Sequence, residues 1–110
     1  MNINDNEIFE LHAEFCKMIA SPRRLRIIQL LAEKEMSVGE IADALQVASS
    51  NISQHLRVLR NHNVVKTRKN GQTVYYSLSN FRLPKACLEI RSILLEGMEK
   101  TGKKARRMSK

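Results

Sequence analysis

With 110 residues, 43% hydrophobic and 27% charged, the chain has the size and composition of one small domain, and a folded core is expected rather than disorder. Its longest apolar runs are three residues, as in Leu30-Leu31-Ala32, far short of the ~20 a membrane span needs. Nineteen basic side chains against eleven acidic ones give +8, which already points to a polyanionic partner. A core of this size is modest, so burial shared with a second copy would supplement it. The opening segment MNINDNEIFE is acidic and lacks a positively charged start followed by an apolar block, so no secretory signal is visible and a cytoplasmic protein is expected.

The first element is a helix over 5–20, where Ile8, Leu11, Phe15 and Met18 recur at spacings of three and four. Ser21-Pro22 restarts the chain, serine capping and proline taking the first helical position, where its missing N–H costs nothing. The second helix runs over 22–34 and buries Leu25, Ile28, Leu31 and Ala32. Ser37-Val38-Gly39-Glu40 is a capping box that opens a third helix over 38–45, built on Ile41, Ala42 and Leu45. A break at Ala48-Ser49-Ser50 leads into a fourth helix over 50–62, with Ile52, Leu56 and Leu59 facing inward. Asn63 stands where a left-handed helix stop is needed.

From there the period changes to two. The runs 64–69 and 73–78 are β-prone and joined by Asn70-Gly71-Gln72, a hairpin signal. A last helix over 83–101 carries Leu83, Cys87, Ile90 and Leu94 on one stripe, widened by Ala86 and Ile93. The organisation is therefore one domain over 1–99 followed by a basic tail over 100–110 that is expected to be disordered. The fold class is mainly α with a small β-hairpin, a winged helix-turn-helix.

The charge is unevenly placed. Residues 1–44 hold five basic and eight acidic side chains, whereas 45–88 hold seven basic ones and no acid. An ordinary solvated face mixes signs; a phosphate-bearing partner is the simplest reason to exclude carboxylates. The exposed positions of the fourth helix should be Ser50, Asn51, Ser53, Gln54, Arg57 and Arg60, and the hairpin offers Lys66, Arg68, Lys69 and Gln72. Asn and Gln can read adenine, Arg can read guanine or hold phosphate, and Ser can contact either, so these are the candidate contacts to double-stranded DNA.

The chain resembles the ArsR/SmtB family of small repressors. The matching segments are Ser21-Pro22-Arg23-Arg24-Leu25-Arg26-Ile27-Ile28-Gln29-Leu30-Leu31, Ser37-Val38-Gly39-Glu40-Ile41-Ala42, Ile52-Ser53-Gln54-His55-Leu56-Arg57-Val58-Leu59-Arg60 and Gly71-Gln72-Thr73-Val74-Tyr75-Tyr76-Ser77-Leu78. The resemblance implies a homodimer joined through the first and last helices, with Ile8, Leu11, Phe15, Leu83, Cys87, Ile90 and Leu94 at the interface. It also implies repression at an imperfect palindromic operator, relieved by a small inducer that is often a metal ion. His55 belongs to the family's Ser-Gln-His-Leu segment and supports the fold or touches phosphate. Asn63 stands where the family has glycine, and Gln72 where it has a wing arginine, which weakens one expected phosphate contact.

No metal site of the family is complete. Met36-Ser37-Val38-Gly39-Glu40-Ile41 lacks the Cys-x-Cys of the thiolate site, and 83–101 lacks the histidines of the zinc-type site. Of the cysteine pair used by reactive-sulfur sensors, only Cys87 matches. Cys16, Cys87 and His12 are the remaining effector candidates: His12 and Cys16 are four apart on one helical face and could present one nitrogen and one sulfur to a soft metal. Three readings of the cysteines stand side by side: two small core residues, a reversible thiol or reactive-sulfur switch, and a thiol-bound metal. No catalytic constellation is present, since Ser53 and His55 point in different directions on a helix and no phosphate loop or paired carboxylates occur. An enzyme is not expected, and the alternative function is an architectural or RNA-binding winged helix that relies on the basic tail.

Overall fold

A computed structural model describes residues 2–102, so most of the expected tail, from 103 onward, lies outside the described residues. The structure divides into two compact units, Met1–Asn80 and Phe81–Lys110, and each is described by itself. The first unit contains α1 (Asp5–Ile19), α2 (Pro22–Leu31), β1 (Met36–Ser37), α3 (Val38–Leu45), α4 (Ser49–Asn61), β2 (Val65–Asn70) and β3 (Thr73–Leu78). The second contains α5 (Arg82–Thr101). Among the described residues, no helix is long and apolar enough to cross a membrane.

The core of the first unit is purely apolar. Ile27, Ile28, Leu31, Ile41, Ile52, Leu56, Leu59 and Leu78 are essentially fully buried, and no polar or charged residue is buried among the described residues. Each such side chain contributes roughly 1.5–3 kcal/mol by leaving water. In α2 the buried face is Ile27, Ile28 and Leu31, whereas Leu25 and Ala32 are only half-buried, which turns the helix slightly from the expected face. The helix also ends earlier than the pattern suggested, because the chain leaves it to place Met36 and Ser37 beside β3.

That short strand is the main departure from the expected two-stranded hairpin. The antiparallel sheet runs β1-β3-β2, with Met36 opposite Tyr76 and Ser37 opposite Tyr75. Ser37 also caps α3: its hydroxyl accepts from the Glu40 N–H at 3.2 Å, while its own N–H donates to Glu40 Oε1 at 3.0 Å. One residue thus joins the sheet to α3. The other edge, β2, pairs with β3 from Val65–Leu78 to Asn70–Thr73, leaving a two-residue loop of Gly71 and Gln72. Gly71 has φ 63°, a conformation that glycine adopts without steric cost.

Two helices are closed by non-glycine residues in the left-handed region. Asn63 (φ 60°) ends α4 as expected, with Val64 N–H donating to Leu59 O at 2.9 Å and Asn63 N–H to Arg60 O at 3.0 Å. Gln46 (φ 56°) does the same for α3, with Val47 N–H on Ala42 O at 3.1 Å and Gln46 N–H on Asp43 O at 3.2 Å. This second stop sets the tight turn between α3 and α4. The first turn of α4 begins at Ser49, and its cap residue Ala48 provides no side-chain hydrogen bond.

Arg24 ties three helices together. From α2 its Nη1 donates to the Met18 carbonyl of α1 at 2.7 Å, and its Nε donates to His55 Nδ1 of α4 at 3.1 Å. A guanidinium only donates, so His55 must be neutral with its proton on Nε2. Burial, then the charges of Arg24 and Arg23, hold this imidazole below the usual histidine range.

Replacing Gln46 by glycine relieves the left-handed strain and should raise stability by up to about 1 kcal/mol, measured by urea unfolding; a loss of stability would contradict the turn. For His55 the folded pKa lies below the unfolded one, so its contribution is complete above the usual value of about 6.5. As pH falls from there toward the lowered native value, the unfolded chain takes up a proton first and that stability is lost. The wild type should therefore lose more stability than His55→Gln on acidification. In an NMR titration Arg24→Gln should move the His55 midpoint upward.

Candidate nucleic-acid interface

Burial of Ile52, Leu56 and Leu59 at 0% exposure each fixes the rotation of α4 about its axis. The opposite side then presents Ser50, Ser53, Gln54, Arg57 and Arg60, all exposed, with Asn51 and His55 half-buried at its flank. The helix carries no acidic residue in its first turn, and Ala48 offers that turn no side-chain acceptor. The positive end of α4 therefore suits an anion.

Two of the expected contacts are held from behind by α2. Arg23 Nη1 donates to Asn51 Oδ1 at 2.8 Å, and Arg24 holds His55 as described above. Neither pairing was visible from the sequence, because the partners are 28 and 31 residues apart and no local pattern joins them.

The wing divides its cations into two kinds. Lys66, Lys69 and Gln72 are exposed, as expected. Arg68 is exposed too but engaged: its Nη2 meets Glu35 Oε1 at 2.5 Å and its Nε meets Oε2 at 3.2 Å, and its guanidinium lies 5.0 Å from the centroid of Tyr75. The hydrogen bond from Arg68, then its charge, holds the Glu35 carboxyl below the usual carboxylate range. The same pairing pushes the Arg68 pKa up. The charge pattern placed Arg68 among the phosphate contacts, yet the acid that pairs with it, Glu35, comes from outside the acid-free stretch. On β3 both Tyr75 and Tyr76 are half-buried. Arg68 covers the first, and the second is paired with Met36.

The effector candidates lie elsewhere. His12 and Cys16 are both exposed on α1, and Cys87 is half-buried on α5. Among the described residues, no three His, Cys, Asp or Glu side chains are grouped so as to hold a metal ion. On α1, Ile8 and Leu11 are about half exposed and Phe15 half-buried. On α5, Leu83 is half-buried, while Ile90 and Leu94 are 65% and 59% exposed, unusual values for such residues.

The surface so assembled has a helix with exposed Ser, Gln and Arg side chains, followed by a basic hairpin, and comparison with known proteins agrees with a DNA-binding role. Residues 21–67 match the family model described as "Bacterial regulatory protein, arsR family". Over 74 residues the chain is 45% identical to the transcriptional activator HlyU of Vibrio cholerae, covering 67% of this chain and 68% of that one. Other curated relatives are longer, with 52–64% of their length spanned. The crystal structure of Rv0081 from M. tuberculosis superposes with a TM-score of 0.77 at 36% identity, covering 86% of this chain and 95% of that one. The solution structure of the homodimeric winged helix-turn-helix domain of Mb0332 from Mycobacterium bovis superposes with a TM-score of 0.74 at 27% identity, covering 90% and 94%. A chain this similar, whose α4 presents a polar face free of acids, belongs to the ArsR family of bacterial regulatory proteins: it is a DNA-binding transcriptional regulator.

Proposed function

We propose that the chain acts as a dimeric repressor that binds an imperfect palindromic operator, with α4 in the major groove and the β2–β3 wing against the adjoining backbone. The observation that carries this reading is the geometry of α4: three fully buried leucine and isoleucine side chains on one side, and Ser50, Ser53, Gln54, Arg57 and Arg60 exposed on the other. Arg57 and Gln54 read base edges; Lys66, Lys69 and Arg60 hold phosphate and fix register. A DNA ligand supports a cytoplasmic location.

The dimer is supported by the exposed apolar side chains of α1 (Ile8, Leu11) and α5 (Ile90, Leu94), and by the homodimeric state given for Mb0332. Two-fold symmetry sets the recognition helices in successive major grooves, about 34 Å apart. An inducer acts away from the DNA-reading face, with Cys16 and His12 on α1 as one candidate point of attack and the Cys87 thiol on α5 as another, by favouring a dimer shape that no longer fits the operator. Cys16 is the thiol open to a metal or to reactive sulfur in the single chain.

Selection from random duplexes should return a motif with two-fold symmetry; a motif without it, or none, contradicts the proposal. On the selected site, Arg57→Ala should cost about 1–3 kcal/mol and relax preference at one position, whereas Lys69→Ala should weaken all sequences alike and reduce the salt slope by about one. Glu35→Gln has the opposite sign: it removes a carboxylate from the wing and releases Arg68, so the salt slope should steepen by about one. Operator affinity measured by fluorescence anisotropy before and after mild oxidant or polysulfide tests the inducer site. A large loss that disappears in Cys16→Ser and Cys87→Ser supports it, and indifference to treatment removes the thiols from regulation.

A further inference from the structure

Arg23, Arg24 and Arg68 are each fastened to another side chain, and they differ in which edge of the guanidinium is left over. Nε and Nη2 form the side edge, two parallel N–H donors whose spacing matches two oxygens of a carboxylate or phosphate. Arg68 uses that edge on Glu35, through Nε and Nη2. Arg24 spends Nε on His55 and Nη1 on the Met18 carbonyl. Arg23 is held from the other end: Nη1 donates to Asn51 Oδ1 at 2.8 Å, and its side edge bonds nothing else among the described residues. Among those residues no buried side-chain nitrogen lacks a partner, so Nε and Nη2 of the half-buried Arg23 both reach solvent.

The place of this open edge gives it a use. Asn51 is the third residue of α4, next to the exposed Ser50, and α4 contains no acid. Burial, then the charges of Arg24 and Arg23, lower the His55 pKa, so the Arg23 charge is felt one turn further along the same helix. The arginine comes from the net-acidic residues 1–44, so the charge pattern did not point to it. An uncharged amide holds the guanidinium without neutralising it, and part of the side-chain freedom lost on binding is already gone. Resting on the reading that α4 enters the major groove, we propose that Arg23 extends the DNA interface onto α2, its Nε/Nη2 edge gripping one backbone phosphate beside the first turn of α4. The contact carries no base information; it fixes the register of the helix on the duplex.

The test uses the full chain and an operator duplex selected from random sequences, with anisotropy titrations over a salt series. Arg23→Gln and Arg23→Met remove the charge, the first keeping an N–H and the second an aliphatic stem; Arg23→Lys keeps the charge. Both uncharged variants should reduce the salt slope by about one and weaken operator and unrelated duplexes by the same factor, whereas Arg23→Lys should keep the wild-type slope. In a second arm the operator phosphates are replaced one at a time by neutral methylphosphonate. At one of them wild type should lose about tenfold, and there the uncharged variants should bind the modified and unmodified duplexes equally, while the other sensitive phosphates stay sensitive.

The outcomes separate cleanly. If wild type selects no motif, the reading of α4 as a recognition helix fails and this contact fails with it. If a motif is selected but the uncharged variants keep the wild-type slope, or every phosphate sensitive in wild type remains so in them, recognition stands and the Arg23 contact is overturned. A changed base preference at an unchanged slope also overturns it, because Arg23 would then act only by holding Asn51.

Discussion

The structure depends first on the burial of Ile52, Leu56 and Leu59 along one side of α4. Their spacing of four and three is that of a single helical face, and full removal from water leaves the helix no freedom to rotate. Everything of interest on the opposite side follows from this constraint. Serine, glutamine and arginine side chains are aimed outward together because the apolar ones are locked inward together. The turn before α4 and the stop after it, at Gln46 and Asn63, fix where this face begins and ends.

A second set of constraints comes from arginines that hold other side chains in place. Arg23 and Arg24 are adjacent in sequence on α2, yet they reach different groups of α4, one an amide and one an imidazole. Arg24 also holds the last turn of α1 through the Met18 carbonyl. At the wing the logic is reversed: Glu35 takes up Arg68, and the guanidinium covers Tyr75. Exposed ion pairs of this kind contribute little to stability. Their effect here is on how much positive charge the wing offers, since a paired arginine attracts phosphate less than a free one.

Much of this was legible from the sequence, for reasons that can be named. The capping box at Ser37 and Glu40, the proline after Ser21 and the glycine of the hairpin act over a few residues, so they survive being read locally. The exposed face of α4 was legible because the periodicity of its buried residues is regular. Three features were not. Gln46 gave no signal, because glutamine seldom takes a left-handed conformation and does so here to close a turn. The strand β1 is two residues long and was hidden beneath the capping box that it shares. The pairings of Arg23, Arg24 and Arg68 join residues 28 to 33 positions apart, and no local pattern encodes them.

The central claim is that α4 and the wing form one DNA-reading surface. Backbone amide chemical shifts of the uniformly labelled protein, followed as a selected operator duplex is added, test it most directly. The account predicts that the largest changes fall on the exposed positions between Ser50 and Arg60 and on Lys66 to Thr73 of the wing. Changes confined to α1 or α5, with α4 undisturbed, would contradict it.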